Sequence, residues 1–503
     1  MVNLTTTVEK EIMNKIYFKK RLIIGAFLLA PIASSAQTDN FKSQYENFKK
    51  QVKAEYEDFR AQCNAEYAEF VKEAWKEYKV LPAIPRPKDE TVPPVIRPNK
   101  DKGKKMKDKA ITIKDIVSPI EQTPQPKPIS PIYGKEQQAE NKCQFTYCGT
   151  ECSVRFPSAF SLDLSICDNQ HIAEAWKELS TNQLDNTIRD FLEIRIKMQL
   201  CDWAYLNLID TFAKDHFGLG NLAILTTAYI YSQSGYQMRL GRNANKLYLL
   251  FGSKHGIYDK GYFLIDGINY YSLGNDTQKM EVCDFAFPKE QSLSLYIPKS
   301  QLFTYQPTPI RNLTSDRYKD MDLNMQVNKN LIDFYNTYPT SEISGNFMTR
   351  WTMYANTPME QEVQKQLYPI LQEKIASLNE HDAVDKLLNW VQTAFVYEYD
   401  DKVWGHDRAF FAEETLFYPY CDCEDRAILF TRIVRDLLGL KSILVYYPGH
   451  LASAVCFNQQ VTGDYILLNG NKFVVCDPTY IGAPVGLTMP NMDNKSANVI
   501  ILE

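Results

Sequence analysis

Apolar and aromatic positions recur at Phe41, Tyr45, Phe48, Val52, Tyr56, Phe59, Cys63, Tyr67, Phe70, Ala74 and Tyr78. Steps of four, three and four give an eleven-residue period, which keeps one stripe on a nearly straight helix. The echo of Ala54 to Phe59 in Ala65 to Phe70 supports the repeat and predicts a helix over 37–81. Such a stripe must be buried, on its own protein, on a second copy, or on an envelope partner.

A second helical pattern lies near the C-terminus, where Ala427, Phe430, Val434, Leu437 and Leu438 share a face. Asp422 suits its N-cap, Glu424 and Asp425 its first turn, and Gly439 its end. Alternating and β-branched stretches then predict strands at 442–447 and 450–457 around the turn Pro448-Gly449. Two more, at 464–468 and 472–476, flank Asn469-Gly470, a strong hairpin signal.

The middle of the chain reads as an α+β unit. Helical spacing runs through His171 to Phe217 around Trp176, Ile188, Phe191 and Tyr205, and strands are predicted at 246–251, 262–265 and 269–273. Laid without gaps, Ala223 to Gly235 matches Ala427 to Gly439, and Leu219 then stands where Cys423 does. The unit is either a degenerate duplicate of the C-terminal one or an unrelated α+β domain. His216 and His255 have no matching nucleophile and receive no chemistry.

Between the first helix and this unit, prolines cluster from Pro82 to Pro98 and from Pro119 to Pro131, with a lysine run at 100–109. Few residues here could build a core, which predicts an extended, partly disordered tether with solvated lysines. The expected divisions are a signal peptide at 1–36, the helix at 37–81, a linker at 82–142, an α+β domain at 143–308 and a second α+β domain at 309–503. With 503 residues, 45% of them hydrophobic, more than one core can be buried. A net charge of −5 points to neither nucleic acid nor a strongly anionic membrane as partner.

Export is expected. Lys19, Lys20 and Arg21 precede an apolar run from Leu22 to Ile32, and Ser34-Ser35-Ala36 offers small residues for cleavage. The destination is periplasmic or extracellular; Met13 is an alternative start, and the run is too short for a comfortable membrane span. All 11 cysteines follow Ala36. Setting one aside leaves an even number, and Cys143, Cys148, Cys152 and Cys167 are expected to form a disulfide cluster whose connectivity spacing does not fix.

The chemistry-bearing order is Cys423, His450, then Asp477-Pro478-Thr479. A thiol is nucleophilic only as thiolate, and at a helix start free N–H groups and the macrodipole favour that charge and a developing oxyanion. Glu424 and Asp425 oppose it, so the His450 imidazole is expected to supply activation as an ion pair, with Asp477 fixing its tautomer. The bland alternative is a buried cysteine, a structural histidine and a turn aspartate. A metal site from Cys421, Cys423, His450, Cys456 and Cys476 lacks paired Cys-x-x-Cys spacing, so no metal and no other cofactor is expected.

At these residues the chain resembles the transglutaminase-like superfamily of papain-fold cysteine enzymes. The resemblance rests on Cys423 followed by Ala427, the helix ending in Leu438-Gly439, a strand, His450, and Asp477-Pro478-Thr479. Asp382 to Tyr397 and Phe410 to Tyr420 add the segments leading into the nucleophile. The resemblance implies a Cys-bearing helix packed on an antiparallel sheet, with Cys423 as nucleophile, His450 as general base and acid, and Asp477 as its partner. It departs in the long His450-to-Asp477 interval and in Cys421 beside the nucleophile. The implied activity is on amide bonds of a protein or peptide, by hydrolysis or acyl transfer. The rival expectation is a non-catalytic envelope scaffold that holds a peptide in a papain-like cleft. His406 is a further candidate to line the cleft.

Overall fold

The structure, a computed structural model, describes residues 35–87, 107–118, 125–133, 141–157, 162–181, 184–274, 279–490, 492 and 497–503. All but the end of the expected signal peptide lies outside the described residues. The chain divides into two units, 1–59 and 60–503.

In the first unit the helix Ser35–Val71 begins. Tyr45 is exposed there, and the stripe residues Phe48, Val52, Tyr56 and Phe59 are half-buried. The helix is shorter than the expected 37–81 and gives way to a strand, Lys76–Tyr78.

Within the second unit the stripe continues as core. Arg60 forms a buried ion pair with Asp185 at 2.5 Å. Asn64 donates to Gln233 and accepts from the Trp176 indole, and the Tyr67 ring lies 4.1 Å from Trp176. This stretch is therefore docked on its own protein. The fold is mixed α+β, built on two curled and largely antiparallel sheets.

The middle sheet has six strands in the order Lys76–Tyr78, Met280–Cys283, Met238–Asn243, Lys246–Ser253, Ile268–Ser272 and Tyr262–Ile265. The C-terminal sheet has seven: Ile113–Val117, Ala497–Ile501, Ser442–Tyr447, His450–Cys456, Asn471–Cys476, Asp464–Leu468 and Lys109–Ala110. Asn469 and Gly470 take positive φ of 50° and 79°, as a two-residue hairpin turn requires.

Two pieces of the expected tether are thus strands. Lys109–Ala110 runs parallel to Asp464–Leu468 at one edge, and Ile113–Val117 runs parallel to Ala497–Ile501 at the other. Only Ile111 and Thr112 separate them, so the sheet must curl until its edges approach, and this one segment covers both. Ile111 is buried among Val445, Ala452, Ile466, Val475 and Val499. A lysine-rich sequence gave no hint of this, because the apolar anchors Ile111 and Val117 are so few.

The expected disulfide cluster is not formed: Cys143, Cys148, Cys152 and Cys167 are free thiols. On the hairpin Lys142–Tyr147 and Thr150–Arg155, Cys143 faces Val154 and Cys152 faces Phe145, so the register sets each cysteine opposite an apolar residue.

Candidate active site

The helix Cys423–Leu438 starts at the candidate nucleophile and stops at Gly439, whose φ of 64° is left-handed. Asp425 reaches back to accept the N–H of Asp422 (3.1 Å) and also that of Phe410 (2.8 Å), which pins the first turn. Its carboxylate is a structural group. The helix packs on His450–Cys456, so Cys423 is carried to the end of the sheet where that strand begins.

Cys423 and His450 line one cavity of about 490 Å³, together with Arg350, Trp351, Tyr397 and Glu424. His450 is buried, and its Nε2 lies 2.8 Å from Asp477 Oδ2. The other oxygen of Asp477 accepts the N–H of Thr479 (2.9 Å) and of Tyr480 (3.2 Å), so the Asp-Pro-Thr turn holds its own carboxylate. Among the described residues, the buried His450 Nδ1 has no hydrogen-bond partner. An unmet nitrogen in a desolvated place is costly, and it is the ring nitrogen left without a partner to take up a proton.

The thiol is not bonded to that nitrogen here. Cys423 Sγ donates to Glu424 Oε2 at 3.5 Å, and the Leu451 N–H points at the sulfur. Burial first, then Asp422 and Glu424, push the thiol pKa well up, and the Leu451 N–H opposes them too weakly to prevail. The expected thiolate–imidazolium pair is therefore absent from this state. Desolvation and two carboxylates outweigh the helix start and favour the neutral thiol.

Three residues that local pattern did not mark complete the site. Gln392, on the helix Glu380–Thr393, donates at 3.0 Å to the carbonyls of Asp477, Tyr480 and Ala483, and accepts the Gly482 N–H at 3.0 Å. It ties down the loop that carries the carboxylate. Arg350, fully buried, makes a two-pronged pair with Asp407 and reaches Glu424 at 3.4 Å, so it offsets charge beside the thiol. The Tyr397 hydroxyl pKa is pushed up by burial and by Cys423, and this residue lines the same cavity.

Cys421 is drawn elsewhere: Arg426 Nε lies 3.4 Å from its sulfur, while the same guanidinium donates to the carbonyls of Gln392 and Phe395. His406 is exposed and does not line the cavity. The five-residue metal set is not assembled either. Among the described residues, the groupings with metal-like spacing near the site are acidic ones such as Asp422, Cys423 and Glu424.

Compared with family models, curated proteins and solved structures, this chain matches none.

Proposed function

We propose that the chain is a cysteine enzyme of transglutaminase-like design, acting on amide bonds of a protein or peptide. One observation carries the reading: a buried imidazole, bonded through Nε2 to a carboxylate and unmet at Nδ1, lines the same cavity as a thiol at a helix start.

In this mechanism the substrate enters, the thiol turns from Glu424 toward His450, and Nδ1 takes its proton as sulfur attacks the carbonyl carbon. Asp477 steadies the imidazolium through Nε2–H, and backbone N–H groups at the helix start receive the oxyanion. The C–N bond breaks as Nδ1 returns the proton to the leaving amine. Water, deprotonated by the same nitrogen, then cleaves the thioester to a carboxylic acid and regenerates the thiol. An amine in place of water would give transfer; no acceptor site marks the sequence, so hydrolysis is the reading adopted.

The leader pattern makes envelope or extracellular polypeptides the proposed substrates. Among the described residues no helix is long and apolar enough to cross a membrane.

The test is capture of an acyl-enzyme on the full chain with activated peptide esters, located by mass spectrometry. The adduct is expected on Cys423 and is lost in His450→Ala. Reaction at Cys423 no faster than at Cys421, and unaffected by His450→Ala, would instead indicate the peptide-holding scaffold.

A further inference from the structure

The strand Lys76–Tyr78 is followed by an extended stretch, Leu81 to Pro87, that crosses the candidate site. Leu81 bridges Tyr262 in antiparallel fashion, with hydrogen bonds of 2.7 and 3.3 Å, and Ile84 bridges Tyr258, accepting the Asp259 N–H at 2.8 Å. Backbone pairing of this kind is how a sheet edge holds an extended peptide. Past Ile84, the residues Pro85, Arg86 and Pro87 enter the lining of the cavity that holds Cys423 and His450. Arg86 is fixed there by the Asp259 carboxylate at 2.6 Å and by the Asp407 carbonyl at 3.2 Å.

The chemistry of the lining matches that guest. Glu342, Asp407, Asp422 and Glu424 contribute carboxylates, and apart from Arg86 the lining holds a single guanidinium, that of Arg350. Trp351 and Tyr397 add aromatic faces, which attract cations. Bulky flanking prolines keep the stretch extended and present the arginine between them.

We propose that this cavity takes the cationic side chain of an extended peptide, at the position Arg86 holds in this structure. The proposal rests on the enzyme reading only for what then happens to that peptide. It makes the Leu81 to Pro87 stretch a tethered competitor, and it makes arginine or lysine next to the attacked amide the specificity determinant. A neutral peptide would leave Arg350 as the single guanidinium facing four carboxylates, and so bind less well.

The experiment measures iodoacetamide labelling of Cys423 in the full chain at pH 9, read by mass spectrometry, with two capped tripeptides as protectants, Pro-Arg-Pro and Pro-Gln-Pro. Arg86→Gln and Asp259→Asn each break the ion pair that fixes the competitor. Asparagine tolerates the positive φ of 56° at 259. Each variant is expected to raise labelling about two- to fivefold, the worth of a part-exposed ion pair. In Arg86→Gln the arginine peptide should protect at about tenfold lower concentration than the glutamine peptide, as one charge-assisted hydrogen bond implies. Unchanged labelling in both variants, or equal protection by the two peptides, overturns the proposal. Charge-selective protection with no acyl adduct would sink the enzyme reading and keep the cation site. Adducts formed equally from cationic and neutral peptides would do the reverse.

Discussion

The middle and C-terminal halves of the second unit repeat one plan. The helix Asn221–Gln233, Gly235 with φ of 94°, and the hairpin Met238–Asn243/Lys246–Ser253 parallel the helix Cys423–Leu438, Gly439, and the hairpin Ser442–Tyr447/His450–Cys456. One constant offset carries Asn243 paired with Lys246 onto Tyr447 paired with His450, and Met238 paired with Phe251 onto Ser442 paired with Val455. Strand order around each hairpin also agrees. The chemistry does not. Leu219, 88% exposed, stands for the buried Cys423, and Lys246 stands for His450. A shared arrangement that carries a leucine and a lysine in one half teaches that the helix and hairpin supply position, and that any reactivity must come from what occupies two points of that frame.

The largest expected effects test those two points. Cys423→Ala should abolish acyl-enzyme formation. Asp477→Ala should fold and yet lose turnover by on the order of 10²- to 10⁴-fold, since the imidazolium forms without its carboxylate. Peptide hydrolysis and circular dichroism measured together check this. Full activity in Asp477→Ala would remove that residue from the mechanism.

The converse graft, Leu219→Cys, installs a thiol on the middle half. Being exposed, it should alkylate at least about tenfold faster than Cys423 at pH 8, because each unit of raised pKa costs a factor of ten in thiolate. It should form no acyl adduct, since Lys246 offers no imidazole. An adduct at 219 would mean the frame alone suffices.

A structural difference follows. The C-terminal sheet is finished at both edges by two strands of the segment around Ile111, while at the Tyr262–Ile265 edge of the middle sheet the covering chain makes a single bridge, Leu81 to Tyr262, among the described residues. Ile111→Ala should cost about 2–5 kcal/mol in denaturant unfolding, the usual range for truncating a buried aliphatic side chain. A cost near zero would mean the covering segment is dispensable.

Each half also buries a histidine with an unpartnered Nδ1. His450 meets a carboxylate; His255 Nε2 accepts the Leu295 N–H at 3.3 Å, and burial lowers its pKa to about 4. A depressed folded value means the imidazole is neutral when folded and charges on unfolding. Its stabilising effect is therefore complete above pH 6.5 and is lost as pH falls toward 4. The loss should reach about 3 kcal/mol across that window, and His255→Gln should flatten the unfolding profile there. A variant profile parallel to wild type would count against the burial argument.

Local pattern carried the C-terminal half far. The strands at 442–447 and 464–468, the Asn469-Gly470 turn, and the helix opening at Cys423 all appear as read. Cys423, His450 and Asp477 were legible because each begins or follows an element that periodicity marks. The thiol's charge state was not, because it depends on burial and on Arg350 and Glu424 meeting across 74 residues of chain. The Arg86 contact with Asp407 spans 321 residues. Nothing local distinguishes such a proline-flanked arginine from a spacer.

Gln392 belongs to the same class of contact and gives the smallest expected effect. Its side chain spends both N–H bonds and its oxygen on the backbone between Asp477 and Ala483, and it is buried. Gln392→Ala leaves those carbonyls without that donor, at about 1–3 kcal/mol of stability. A merely structural role would lower the unfolding midpoint and leave the turnover profile of the folded fraction intact. A positioning role predicts more: with the Asp477 loop loosened, the imidazole is less well oriented in the transition state, so kcat of the folded fraction should fall while KM stays near wild type. Gln392→Glu keeps the acceptor for the Gly482 N–H but removes the donors facing three carbonyls, so it should not rescue. Rescue by glutamate would show that the Gly482 bond, and not the grip on the carbonyls, is what orients Asp477.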